Sequence, residues 1–225
     1  MGYLESAVVV YLRKIYYPEG FNFPLKAIES NIGITEILRE AATIIMLAGA
    51  GIIAGRTKTE KFGFFIYCFA VWDIFYYIFL KLLLDWPESL LTWDILFLIP
   101  VIWVGPVISP VINSLSMIFF AFLISYFIDK GLKTKIIWKE WLLLISGSVI
   151  IIISYVEEYL DFILAEFALR DLFRAANNMA IMEYASGYLP KSFSWWIFII
   201  GELLLIIAMV MFYSRNKKDL KIKGE

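Results

Sequence analysis

Residues 70–106 read AVWDIFYYIFLKLLLDWPESLLTWDILFLIPVIWVGP. The first half of this stretch places Asp73 in the middle of an apolar run that is long enough to cross a bilayer, for which a helix needs about 20 residues. A shorter apolar run follows and is interrupted by Pro100 and Gly105-Pro106. An acid and a broken segment both cost free energy in lipid, and each must therefore be compensated. The stretch predicts a polytopic helical membrane protein.

The composition of the 225-residue chain supports this class. Hydrophobic residues make up 61% of it, compared with roughly 45–50% in soluble domains. A formal net charge of −1 gives no argument for nucleic-acid binding. The chain has no histidine and a single cysteine, Cys68, which excludes disulfides within one chain and haem or zinc sites built on histidine. We expect no cofactor, although the composition leaves open a hard divalent cation held by carboxylates.

Apolar runs predict five transmembrane helices, at about residues 35–55, 62–84, 107–128, 137–155 and 193–213. The run from Leu90 to Val104 is too short for a further span and predicts a re-entrant or interfacial segment. The first helix carries Gly51 and Gly55, a pair of small residues that lets another helix approach closely. The fold class is therefore all-α. We expect one membrane domain over residues 1–225, with an interfacial segment at 1–34, a membrane bundle at 35–213 and a basic cytoplasmic tail at 214–225.

Two amphipathic helices are predicted at the membrane surface. Near the N-terminus, apolar residues at helical spacing predict a short interfacial helix, with a mobile N-terminal arm as the alternative. After the fourth span the helical pattern continues, and Glu166, Arg170 and Arg174 form a charged stripe along it. The apolar residues of the two patterns are Val8, Tyr11, Leu12 and Ile15 in the first, and Val156, Tyr159, Leu160, Ile163, Leu164 and Phe167 in the second.

The charges of the loops predict an orientation. Basic residues follow the first, third and fifth spans, whereas acidic residues follow the second and fourth. The positive-inside rule then places the N-terminus outside and the C-terminus in the cytoplasm of a cell (inner) membrane. If the segment from Leu90 to Val104 were a sixth span, the basic loop at 130–139 would lie outside, against that rule.

Four motifs carry a resemblance to a known group. They are ESAVVVYLR at 5–13, LREAAT at 38–43, WDIFYY at 72–77 and WPESLLTWD at 86–94. In these stretches, which cover roughly the first half, the chain resembles uncharacterised bacterial polytopic integral membrane proteins. That group has no assigned activity, so the resemblance implies a membrane location and transfers no catalytic residue.

Two acids lie near the centres of predicted spans, Asp73 and Glu202. A charged aspartate there costs about 2.5–3.5 kcal/mol, and no Lys or Arg lies at matching depth in a span. Each acid must be protonated, hydrogen-bonded to groups such as Tyr76, Asn113 or Ser148, or neutralised by a cation. This pattern predicts a proton or cation site at the midplane. The alternative is that both are neutral carboxyls whose hydrogen bonds join neighbouring helices.

A second set of charged residues falls near the outer interface in this orientation. It predicts a carboxylate pocket, capped by the broken segment at 90–105, that holds a hard cation or binds a lipid phosphate through its arginine. The alternative is an acidic outer face exposed to water. The set consists of Glu36, Arg39, Glu40, Asp85, Glu88, Asp94, Glu157, Glu158 and Asp161.

Three functions remain open from the sequence. The first is a proton- or cation-linked transport or permeation protein that uses Asp73 and Glu202. The second is an enzyme or binding protein for a lipid or isoprenoid, with Arg39 at the headgroup. The third is a non-catalytic subunit of a membrane complex, with the surface helix at 157–174 as its docking face. The lipid bilayer is the expected partner, a membrane-protein partner or a homo-oligomer is left open, and no nucleic acid is expected.

The predicted orientation can be tested with a reporter fused to the C-terminus. An odd number of spans and basic loops on one side place this end in the cytoplasm. We expect a reporter that is active only in the cytoplasm to be active there, and a reporter that is active only in the periplasm to be silent. The reverse pattern would contradict the arrangement.

Overall fold

The computed structural model describes residues 1–99, 101–168 and 179–224. Helices dominate, and the one pair of strands in this part is short, so the all-α prediction is confirmed. In chain order the elements are α1 (Gly2–Tyr16), α2 (Ser30–Ala54), α3 (Lys58–Leu84), β1 (Trp93–Phe97), β2 (Trp103–Pro106), α4 (Ile108–Asp129), α5 (Trp138–Leu164), α6 (Met179–Ala185) and α7 (Trp195–Gly224).

Five of these helices, α2, α3, α4, α5 and α7, are long and apolar enough to cross a membrane. They are the five predicted spans, but the helices extend further than the apolar runs. Helix α2 already begins at Ser30, and α7 continues through the basic segment that was predicted as a separate tail. Extending a formed helix adds a hydrogen bond for each residue fixed, so the polar flanks of a span continue the helix readily.

The broken segment forms a β-hairpin. Strands β1 and β2 pair antiparallel with Asp94 opposite Gly105 and Ile95 opposite Val104, and the register shifts between Ile95 and Phe97. Tryptophan, isoleucine, valine and phenylalanine favour strands, which explains why this run is extended. Pro100 lies outside the described residues. The hairpin adds no sixth span to the described part of the chain, in agreement with the sequence.

Helix α1 confirms the short helix predicted near the N-terminus, and its polar face is the one that packs against the protein. Its polar residues Glu5, Ser6 and Arg13 are buried, whereas Tyr11 and Ile15 are 66% and 64% exposed. Exposed apolar side chains are compatible with the predicted interfacial position, which stays a prediction. Glu5 and Arg13 form ion pairs with residues distant in sequence, which compensates the burial of their charges.

The first part of the second predicted surface helix is the end of the fourth span. Helix α5 runs without a break from Trp138 to Leu164, and Val156, Tyr159 and Ile163 are buried along it. The helical pattern is therefore confirmed as far as Leu164, but it belongs to the same helix as the fourth span. Arg170 and Arg174 lie outside the described residues.

The chain forms two compact units. The first comprises Met1–Thr43, Phe75–Ser109 and Ser154–Ser194, and the second comprises Ile44–Ile74, Pro110–Ile153 and Trp195–Glu225, each as far as it is described. An aromatic-rich cluster forms the core of the first unit. Its buried members are Leu25, Val104, Tyr159, Ile163 and Tyr188. The prediction of a single membrane domain over residues 1–225 stays a prediction.

Phenylalanine rings fill the core of the second unit. Phe120 contacts Phe62 and Phe212, and Phe212 also contacts Phe127, with ring centroids 5.3–6.3 Å apart. These rings come from α3, α4 and α7, so they hold three spans together. Aromatic pairs in such edge-on geometry add to the free energy gained from apolar burial.

Two helix contacts in the second unit require glycine. A Cβ atom on Gly147 would lie 2.9 Å from the carbonyl oxygen of Gly201, and one on Gly201 would lie 2.8 Å from that of Gly147. Helices α5 and α7 therefore cross with their backbones in contact. The predicted role of Gly51 is confirmed in the same way, because a Cβ there would lie 2.8 Å from the backbone nitrogen of Phe65 on α3.

An ion pair ties the far end of α7 to the start of α5. Arg215 donates from Nε and Nη2 to the buried Glu140, each at 3.0 Å. Glu140 also accepts the backbone N–H of Ile137 at 2.9 Å, one residue before α5 begins. This contact explains why α7 stays ordered as a helix beyond its apolar part.

We expect Arg215→Ala to destabilise the protein. The substitution leaves Glu140 buried without its counter-charge, and removing one partner of a buried ion pair costs about 3–5 kcal/mol. Thermal unfolding in a mild detergent measures the loss. Lys218→Ala, at an exposed position three residues along the same helix, is the matched control and should leave the unfolding temperature nearly unchanged. Equal effects of the two variants would contradict this role for Arg215.

Candidate functional site

Both mid-span acids accept a hydrogen bond from a serine of α4. In the second unit, Ser114 Oγ donates to Asp73 Oδ2 and Ser116 Oγ donates to Glu202 Oε2, each at 2.8 Å. Two residues along a helix correspond to about 200° of rotation and about 3 Å of rise. Helix α4 therefore presents one hydroxyl towards α3 and one towards α7 at nearly the same level.

Glu202 is the more enclosed of the two acids. Its side chain is buried, and Oε1 has no hydrogen-bond partner among the described residues. A buried carboxylate with an unpaired oxygen is costly, whereas a carboxyl that carries a proton is neutral and can donate as well as accept. Gly201, the preceding residue, forms the close crossing with α5 and so fixes the height of Glu202 on α7.

The two serine partners differ from those predicted. The sequence suggested groups such as Tyr76, Asn113 or Ser148 as the hydrogen-bond partners of the acids. Asn113 lies on α4 next to Ser114, and Tyr76 belongs to the first unit, where its backbone carbonyl accepts a hydrogen bond from Ser6 Oγ at 3.0 Å. A signal for the serines was present in the sequence, because polar residues recur at 113–116 inside an apolar span.

The first unit holds a separate group of charged side chains. Arg39 donates from Nε to Glu36 Oε2 at 2.9 Å, from Nη2 to the other oxygen of Glu36, and from Nη1 to Glu5 on α1. Glu40, one residue further along α2, accepts the backbone N–H of Leu98 at 3.0 Å. A lipid phosphate at Arg39 would have to compete with two carboxylates that already bind it.

Arg13 and Asp94 form a second ion pair in this unit. Arg13 Nη2 lies 3.1 Å from Asp94 Oδ1, and both side chains are buried. The guanidinium also lies over the rings of Trp86 and Phe21, 3.7 and 4.5 Å from their centroids. Burial raises the pKa of Asp94 to about 6, although Arg13, the Ile95 N–H and Tyr77 act to lower it. The pair links α1 to the hairpin, a role for Arg13 that the sequence did not predict.

The other acids of the predicted outer pocket have local roles. Glu158 accepts the backbone N–H groups of Lys191 and Ser192 at 2.6 and 3.2 Å, and Glu157 accepts Ser194 Oγ just before α7. These bonds hold the chain between α6 and α7 against α5. Three further acids of the set, Asp85, Glu88 and Asp161, are exposed.

The structure brings part of the predicted outer set together, since Asp94, Arg13, Glu5 and Arg39 all interact electrostatically with Tyr76, and the pocket itself stays a prediction. Glu36, Arg39 and Glu40 lie together with Glu5, and Asp94 pairs with Arg13. Among residues 1–99, 101–168 and 179–224, no group of three or more Asp, Glu or Cys side chains could hold a metal ion. We therefore do not propose a metal at these acids.

Comparisons with protein-family models, with curated proteins and with solved structures gave no significant match. The resemblance to bacterial polytopic membrane proteins stays a prediction. The role of each residue is inferred from its geometry alone.

We expect Asp94 to make the stability of the protein depend on pH. Its pKa of about 6 in the folded chain lies above the ordinary value of 3.8, so its protonation favours the fold. The contribution is fully present below pH 3.8 and is lost as the pH rises through about 6. Between pH 7 and pH 5 the wild type should gain about 1.4 kcal/mol of unfolding free energy relative to Asp94→Asn.

Thermal unfolding of both proteins at the two pH values measures this difference. Asp85→Asn is the matched control, because Asp85 is exposed and its hydrogen bond to Lys81 lowers its pKa, so it does not titrate in this window. If the difference in unfolding free energy between wild type and Asp94→Asn were the same at pH 5 and pH 7, Asp94 would not be the group that titrates in this range.

Proposed function

We propose that the protein is a multi-pass protein of the cell membrane that links the transport or permeation of a small solute to protons. Asp73 and Glu202 are its proton-binding groups. The observation that carries this proposal is the pair of carboxyl–hydroxyl contacts that α4 makes at one level, with Ser114 on one side and Ser116 on the other. Ionisable residues inside spans often belong to proton or ion pathways.

A serine partner suits a carboxyl that gains and loses a proton. When the carboxyl is ionised, the hydroxyl donates to it. When the carboxyl is protonated, the hydroxyl can accept from it and turn its own hydrogen towards the backbone carbonyl four residues earlier in the helix. A guanidinium partner would instead favour the ionised form in every state. Each carboxyl can therefore gain or lose a proton while it keeps its hydrogen bond to the serine.

The membrane orientation predicted from the loop charges is part of this proposal. With five spans and basic loops after the first, third and fifth, the N-terminus lies outside and the C-terminus in the cytoplasm. Asp73 and Glu202 then lie near the middle of their spans. A change in the packing around α4 would let a proton reach them from either side of the membrane. The described residues offer no comparable observation for a lipid enzyme at Arg39 or for a non-catalytic subunit.

Proton flux into liposomes tests the proposal. The purified protein is reconstituted with a pH-sensitive dye inside the vesicles, and a pH step is applied outside. We expect faster acidification than in protein-free liposomes, and a loss of about tenfold or more with either Asp73→Asn or Glu202→Gln, because each variant is neutral and cannot bind or release the proton.

Asp219→Asn is the matched control, since it removes an exposed carboxylate from the polar end of α7. It should keep the wild-type rate. All variants should first show the wild-type unfolding temperature. The proposal fails if the wild type conducts no faster than empty liposomes, or if both mid-span variants keep its rate.

A further inference from the structure

A groove runs between α4 and α7 in the second unit. Its volume is about 450 Å³, which is within the range of about 300–1,000 Å³ typical of small-ligand sites. Leu115 and Phe119 form one wall and Ile206 and Val210 the other, and Leu115 and Val210 are 57% and 56% exposed. Both helices are apolar enough to cross a membrane. In a bilayer this groove would open towards lipid, and its mostly apolar walls suit a hydrocarbon chain.

The two ends of the groove differ in polarity. Helices α4 and α7 run parallel along it, because Ser116 contacts Glu202 and Phe127 contacts Tyr213, each eleven residues further on. Eleven residues of helix rise about 16 Å. Ser116 lines the inner part of the groove and Tyr213 lines the part nearest the end of the apolar run.

Lysines follow at the Tyr213 end. Lys217 Nζ lies 5.4 Å from the ring centroid of Tyr213, and Lys130 Nζ, directly after α4, lies 5.8 Å from that of Tyr126. Ile206, Val210, Tyr213 and Lys217 recur at three- and four-residue spacing, so the lysine continues the stripe that lines the groove. Arg215 is already bound to Glu140. Lys217 and Lys130 are both exposed, so their charges remain accessible at this end.

We propose that the groove binds one acyl chain of an anionic glycerophospholipid whose phosphate lies at Lys217 and Lys130. The apolar walls suit the chain, and lysines directly beyond a span attract anionic headgroups. A zwitterionic headgroup lacks the net negative charge that these lysines favour. This lipid site goes beyond the proton-linked function, because it uses none of the residues that bind protons there.

Native mass spectrometry in a mild detergent tests this site. The protein is mixed with equal concentrations of phosphatidylglycerol and phosphatidylcholine that carry identical acyl chains. We expect one phosphatidylglycerol to be retained, with about tenfold preference over phosphatidylcholine. Lys130→Gln combined with Lys217→Gln should abolish the preference.

The acyl-chain part of the site is tested by filling the groove. Val210→Trp should abolish retention of both lipids, whereas Ile207→Trp, at an exposed position on the neighbouring face of α7, should not. Leu115→Trp fills the groove from the opposite wall and replaces Val210→Trp if that variant does not fold. Equal retention of the two lipids by the wild type, or equal behaviour of the groove and control variants, would overturn the proposal.

Discussion

The constraint on which the structure depends is that a polar side chain removed from water must find a partner. One case is the ion pair between Arg13 and Asp94, both buried and 3.1 Å apart, although Arg13 Nη1 and Asp94 Oδ2 have no hydrogen-bond partner among the described residues. An unpaired charge at either position would cost several kcal/mol or more. With its charge matched inside the first unit, α1 turns its polar face inward and leaves Tyr11 and Ile15 exposed. The orientation of that helix follows from its buried polar contacts, made by Glu5, Ser6 and Arg13, rather than from its apolar residues.

The two units satisfy the same constraint with different chemistry. In the first unit, Arg39 and Arg13 pair with the carboxylates that they contact, and each opposite charge favours the ionised form, although burial still raises the pKa of Asp94. In the second unit, the acids at Asp73 and Glu202 have serine partners, which can bond to either protonation state. This difference supports the function proposed for the mid-span acids and a structural role for the arginine pairs.

The sequence predicts features that depend on local pattern, but not features that depend on contacts between distant residues. The five spans, the all-α class and the close approach at Gly51 follow from runs and spacings within single helices, and these predictions are confirmed. The sequence did not indicate which face of α1 packs against the protein, or that Ser114 and Ser116 would be the residues that bond to the acids. Arg13 and Asp94 are 81 residues apart, and Glu202 and Ser116 are 86 apart, so neither pair has a signal in local periodicity. The hairpin was missed because a short apolar run fits either a strand or part of a helix.

One turn of α4 connects the two proposals. Ser114, Leu115 and Ser116 are consecutive, and successive residues of a helix point about 100° apart. Ser114 bonds to Asp73, Leu115 lines the groove, and Ser116 both lines the groove and bonds to Glu202. An acyl chain in the groove would therefore cover the Ser116–Glu202 contact from the lipid side. In the proposed function, excluding water from that side would strengthen the hydrogen bond and would leave the interior of the second unit as the route for the proton to Glu202.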